Sequence, residues 1–151
     1  MRAKNQFLCV SFARACEVML QRVHRRTQGD RLVIQEKVDQ SKQIMQKMAM
    51  AMQTSRRVEI RVEEVDGLLK PELAEVWTAL KSAVSAGHAM FLRMTGEAPR
   101  EELRFLVKGF QNFFAASCIA VEGAEAGNKS ALLFGNGAQG LPDLKELLPC
   151  P

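Results

Sequence analysis

Residues 57–63, RVEIRVE, can form either a helix or a strand, and the choice separates an all-α fold from an α+β fold. Polar and apolar residues alternate strictly along this stretch, and this period of two is typical of a β-strand with one buried face. The surrounding region also carries aliphatic residues at near-helical spacings, namely Val58, Val62, Val65 and Leu69. A strand needs a partner for its backbone groups, and the other candidate strand, residues 131–134, is short. We therefore favour a helix here and keep a small strand at 57–63 as the alternative.

The clearest helix lies immediately before this stretch, over residues 31–53. Its small and apolar residues recur at alternating steps of four and three, a heptad-like pattern formed by Ile34, Val38, Ser41, Met45, Met48 and Met52. Lys, Glu and Gln occupy the positions between them and suit a solvated face. Asp30 is a suitable N-cap. If this helix continued to Val65, it would be much longer than the others and would overhang the rest of the domain.

Three further segments show helical periodicity, at about residues 6–28, 71–94 and 97–121. Pro71 suits the first turn of the second of these segments, where its missing N–H costs nothing. Four helices with short connections favour antiparallel packing. We predict an all-α, four-helix bundle-like domain over residues 1–127 with one long helix. A flexible Gly/Pro-rich tail is expected over residues 128–151.

Composition places the chain among globular proteins, because 47% of its 151 residues are hydrophobic and 25% are charged. The longest uncharged apolar run, residues 109–121, is well short of the roughly 20 residues of a membrane-spanning helix. The four cysteines form no Cys-x-x-Cys pair, which favours reduced thiols and a cytoplasmic location. The Arg-rich N-terminal helix leaves organelle targeting as the alternative.

No pattern of residues predicts catalysis, a metal or a cofactor. Residues 135–140 match G-x-G-x-x-G, but only eleven residues follow Gly140, too few for a dinucleotide-binding βαβ unit. The residues three before His24 and His88 are Gln21 and Ser85, so the Glu-x-x-His motif of di-iron bundles is missing. We therefore expect a non-catalytic chain without a cofactor.

The methionines suggest a role in binding. Four of the eight lie in one short stretch of the second helix, and we call them the methionine cluster: Met45, Met48, Met50 and Met52. Thioethers adapt to irregular partners and are frequent on promiscuous binding surfaces, although they also fill cores. The leading hypothesis is an interaction or scaffold protein that binds itself or another helical protein through this apolar surface.

The distribution of charge supports an alternative function. The net charge is +4, and seven basic residues but only two acids lie in residues 1–31. The densest group contains four arginines, which we call the arginine cluster: Arg22, Arg25, Arg26 and Arg31. Arginines at this density can neutralise phosphates, so the alternative is a nucleic-acid-binding helical protein. Cations at a helix C-terminus also stabilise the helix dipole without any ligand.

Overall fold

The structure is a computed structural model that describes the backbone of residues 2–26 and 30–133 and the side chains of residues 10–26 and 30–125. Its elements in chain order are α1 (Arg2–Arg25), α2 (Arg31–Thr54), β1 (Ile60–Arg61), α3 (Val62–Leu68), α4 (Ala74–Ser85), β2 (Leu92–Thr95), β3 (Glu102–Phe105) and α5 (Lys108–Leu133). A short 3₁₀ turn, Pro71–Leu73, leads into α4. The chain divides into two compact units, residues 1–120 and 121–151.

The described part of the chain is mostly helical, as predicted, but it also contains a three-stranded antiparallel sheet in the order β1-β3-β2. The small strand held as the alternative for residues 57–63 corresponds to β1, which is shorter than the alternating stretch. Ile60 of β1 lies opposite Leu103 of β3, and Leu92 of β2 lies opposite Phe105. These four side chains are buried, so one face of the sheet joins the core.

The helices predicted over residues 71–94 and 97–121 are formed only in part, as α4 over Ala74–Ser85 and α5 from Lys108 onward. The first ends at Ser85, and Gly87 follows in the left-handed region with a φ of 72°, before the chain continues into β2. Gly96 has a φ of 87° in the turn between β2 and β3, where a Cβ would lie 2.5 Å from the carbonyl oxygen of Arg100. Both positions need the conformational freedom of glycine. The strand partner of β1 is therefore residues 102–105, whereas residues 131–133 belong to α5.

Helix α2 confirms the prediction for residues 31–53, including Asp30 as the N-cap, whose carboxylate accepts a hydrogen bond from the amide of Arg31 at 2.7 Å. It does not continue to Val65. The chain leaves the helix after Thr54, and Arg56 adopts a φ of 53°, which a helix does not accommodate. Because α2 ends there, it is no longer than α1, and the predicted overhang is not formed.

Helix α1 packs against both α2 and α5. Its Phe12 ring meets the ring of Phe110 edge-on, with 4.9 Å between the ring centroids, and lies directly over Gly109. Further along α1, a hydrogen bond of 2.7 Å joins His24 Nε2 to Ser41 Oγ of α2, and both side chains are buried. One contact lies near the start and the other near the end of residues 10–25, so α1 packs against the core along this length.

The second unit, residues 121–151, is described only as far as Leu133, and this described part continues α5 as helix. The helix thus passes the domain boundary predicted at residue 127. The rest of the predicted tail, including the glycine-rich motif at residues 135–140, lies outside the described residues.

Candidate interaction groove

An open groove of about 620 Å³ lies between α1, α2 and α5. Its walls are mostly uncharged side chains of α1 and α5, among them Val10, Val18, Phe113 and Ser117. Val10 and Val18 have 66% and 41% of their surface exposed. Grooves with apolar walls of this kind accept the apolar face of a helix.

One side of the groove carries an ion pair between Glu17 of α1 and Lys42 of α2. Glu17 also accepts a hydrogen bond from Gln35 Nε2 at 3.0 Å. The hydrogen bond from Lys42 is the main reason that the pKa of Glu17 lies below its ordinary value. This acid, the single one in α1, is therefore engaged within the protein, and it aligns α1 with α2 beside the groove.

The solvent-facing side of α5 next to the groove carries no charge between residues 109 and 120. At 3.6 residues per turn, its exposed positions form one stripe, which consists of Asn112, Ala116, Ile119 and Ala120. Ile119 has 57% of its surface exposed. Phe113 and Ser117, half-buried, join this stripe to the groove on the same helix. We call the groove and the stripe together the α1–α5 face.

The structure places the methionine cluster elsewhere. Met45, Met48 and Met52 are fully buried in the main core with Leu20, and Met50 is half-buried. The three buried thioethers therefore fill the interior of the domain, the structural role that methionine also commonly has. They do not form an exposed surface in the folded chain, and sequence reasoning placed the apolar surface on α2 when it lies on α1 and α5.

A signal for the α1–α5 face was present in the sequence. The uncharged run at residues 109–121 is too short to span a membrane, and it lies in the segment predicted as the last helix of the bundle. Ala116, Ile119 and Ala120 add apolar positions to the helix outside its predicted buried face, and no charged residue lies among them. A helix of this kind outside a core points to a partner. None of the helices in the described part of the chain is long and apolar enough to cross a bilayer.

The arginine cluster is exposed, as its prediction requires. Arg22, Arg25 and Arg26 lie at the end of α1, and Arg31 begins α2. The ion pairs found among the described residues involve other basic groups and none of these four. Within the part of the chain that the structure describes, the arginines therefore form a positive surface without an ion pair to a carboxylate.

Helices α3 and α4 follow one another across a short connection, residues 69–73, as the two helices of a helix-turn-helix motif do. The basic residue of α4, Lys81, donates a hydrogen bond to Asp66 at 3.3 Å and lies over the Trp77 ring. The exposed residues of α4 are Ala74, Glu75, Thr78, Ser82 and Ser85. Because this surface offers no exposed cation to phosphates, it does not add to the nucleic-acid hypothesis.

Two buried side chains of the types that can act in catalysis, Cys16 and His24, have shifted pKa values. The described residues contain no group of three or more His, Cys, Asp or Glu side chains that could hold a metal ion. Burial raises the pKa of Cys16 to about 11, so its thiol is protonated and a poor nucleophile at neutral pH. Burial also lowers the pKa of His24, which leaves it neutral in the core.

Comparison with known proteins identifies no relatives. No family model, no curated protein and no solved structure matches the chain.

Proposed function

We propose that the chain is a non-catalytic helical interaction protein that self-associates through the α1–α5 face. The observation that carries the proposal is the uncharged exposed stripe of α5, which continues into an apolar-walled groove. Exposed apolar surface that is contiguous over a helix and a groove is typical of protein–protein contacts. This retains the interaction role inferred from the sequence and moves it from the methionine cluster to α1 and α5.

A second copy of the chain is the partner that best suits this surface. A twofold axis brings the same patch of two copies together, so the patch has to complement itself. An uncharged stripe satisfies this condition, because like charges do not face each other when two α5 helices approach. Ala116 and Ala120 are small enough to let two helices pack closely, while Ile119 can enter the groove of the other copy beside Val18.

The test is the molar mass in solution, measured by light scattering over a concentration series for the wild type and Ile119→Lys. We expect a concentration-dependent dimer for the wild type. The lysine would bury an unpaired charge, which costs about 3 kcal/mol or more and weakens the dimer more than 100-fold. Met90→Lys is the matched control, because Met90 is 70% exposed and lies outside the α1–α5 face.

The proposal fails if the wild type is a monomer at every concentration. It also fails if both lysine variants dimerise as the wild type does. Equal weakening by Ile119→Lys and Met90→Lys would assign the effect to net charge and would likewise overturn the proposed interface.

A further inference from the structure

The end of α1 and the start of α2 form a second surface with a different chemistry. It consists of the arginine cluster together with two exposed aliphatic side chains at the start of α2, Leu32 and Val33. None of these residues lines the groove. We propose that this surface, the basic corner, binds an anionic lipid surface peripherally.

The first argument is electrostatic. Arg22, Arg25 and Arg26 stand at positions i, i+3 and i+4, so they share one side of the last turns of α1. Arg31 follows Arg26 by five positions, which keeps their Cα atoms within about 18 Å of each other. The headgroups of an anionic lipid surface carry negative charge throughout the plane of the membrane, over distances larger than this. The four arginines can therefore meet headgroups without the precise alignment that a single phosphate would need.

The position of Arg31 adds to this argument. It occupies the first turn of α2, where the partial positive charge of the helix N-terminus disfavours a cation. The nearest carboxylate along the chain, Asp30, is occupied in part by capping the helix through the amide of Arg31. An anionic surface would compensate both the helix end and the arginine. The same external charge thus relieves two unfavourable features of the isolated chain.

The aliphatic residues distinguish a lipid from a nucleic acid. Leu32 has 80% of its surface exposed, the largest value among the exposed large hydrophobic side chains of the described chain. Moving an exposed leucine side chain from water into an apolar environment is favourable. The boundary between headgroups and acyl chains accepts aliphatic side chains beside arginines. Single-stranded nucleic acids are commonly bound by arginines together with stacking aromatic residues, and the six residues of the basic corner include no aromatic residue.

The experiment measures co-sedimentation of the full chain with vesicles of phosphatidylcholine, with and without phosphatidylserine, at low and high salt. We expect binding only when phosphatidylserine is present, and weaker binding at high salt. Each arginine near a membrane surface contributes about a fivefold change in affinity. The triple variant Arg22→Gln, Arg25→Gln, Arg26→Gln should therefore bind roughly 100-fold more weakly.

The matched control removes the same charge elsewhere, by Lys70→Gln, Arg93→Gln and Arg100→Gln, and should bind nearly as the wild type does. These three side chains are exposed and lie in other elements of the fold. Thermal unfolding of each variant serves to check that the substitutions leave the fold intact. If both triple variants lose binding equally, net charge alone explains the effect and the basic corner is not the site.

Leu32→Ser tests the aliphatic part and leaves the charge unchanged. We expect roughly tenfold weaker vesicle binding from this loss of apolar burial, and no loss from the control Met90→Ser. The same proteins are titrated with single-stranded and duplex oligonucleotides and with inorganic phosphate at matched ionic strength. Absence of vesicle binding overturns the proposal, and so does vesicle binding that Leu32→Ser leaves unchanged. Oligonucleotide binding without vesicle binding would assign the basic corner to nucleic acids, and competition by inorganic phosphate would assign it to single phosphate groups.

Because vesicle binding and self-association use different residues, each proposal can fail without the other. A monomer that sediments with anionic vesicles would retain the lipid proposal and overturn the proposed function. A dimer that does not bind vesicles would retain the proposed function and overturn the lipid proposal.

Discussion

Substitution of Met48 by alanine tests whether this methionine stabilises the core or binds a partner. Met48 is fully buried, and its neighbours one turn away on α2, Met45 and Met52, are buried with it. Truncation of a buried methionine to alanine removes its transfer free energy and leaves a cavity, which together cost 2–5 kcal/mol, typically about 3 kcal/mol. We therefore expect the free energy of unfolding to fall by about 3 kcal/mol in Met48→Ala.

Equilibrium unfolding in urea, followed by far-ultraviolet circular dichroism, measures this change. With a denaturant dependence of about 2 kcal/mol per molar urea, the midpoint should fall by roughly 1.5 M. The control Met90→Ala removes an exposed thioether and should stay within about 0.5 kcal/mol of the wild type. If Met48→Ala unfolds as the wild type does but associates less, the thioether acts at an interface. In that case the assignment of these methionines to the core would be refuted.

Two further predictions concern how α1 is held. The pKa of His24 in the folded chain lies below its ordinary value of 6.5, because burial disfavours the charged ring. Protonation of His24 therefore favours the unfolded chain. The stability that the neutral ring provides is present above about pH 6.5 and is lost as the pH falls below that value. Urea midpoints from pH 7.5 downward should show this loss, and His24→Gln should flatten that part of the profile; an identical profile would contradict the assignment. In Gly109→Val, the Phe12 ring has to move, since even a Cβ at this position would lie 2.9 Å from Phe12 Cζ. We expect the free energy of unfolding to fall by about 1–3 kcal/mol. Amide hydrogen exchange should then accelerate in α1 and not in α4, whereas unchanged protection of α1 would show that Phe12 is not needed for its packing.

Helix α2 illustrates how much local sequence can determine. Its heptad-like spacing, its N-cap Asp30 and its buried positions Val38, Met45 and Met48 follow from periodicity and capping chemistry within the segment. The start of α4 near Pro71 is of the same kind. These features depend on residues within a few turns of each other, so they can be read without knowledge of the rest of the fold.

The candidate site depended on contacts that the sequence does not display. Whether the methionine cluster or the α5 stripe faces solvent is decided by what packs against each helix, and both segments are apolar. The arginine cluster was predictable, because four charged side chains within ten residues have to reach water in any fold. The ring of Phe12 against Gly109, which helps to place α1 beside α5, joins residues almost a hundred positions apart.

Local patterns of residues were therefore enough to predict the mostly helical character of the chain, the extent of α2 and the exposed positive charge at the α1–α2 junction. The sheet, in contrast, arises only where distant segments come together. β1 has two residues, and β2 and β3 have four each, too few to show a period of their own. They exist because Ile60, Met94 and Leu103 meet across the sheet and satisfy one another's backbone groups. Strand formation is stabilised between segments, so the alternation at residues 57–63 indicated a strand but did not identify the residues that pair with it.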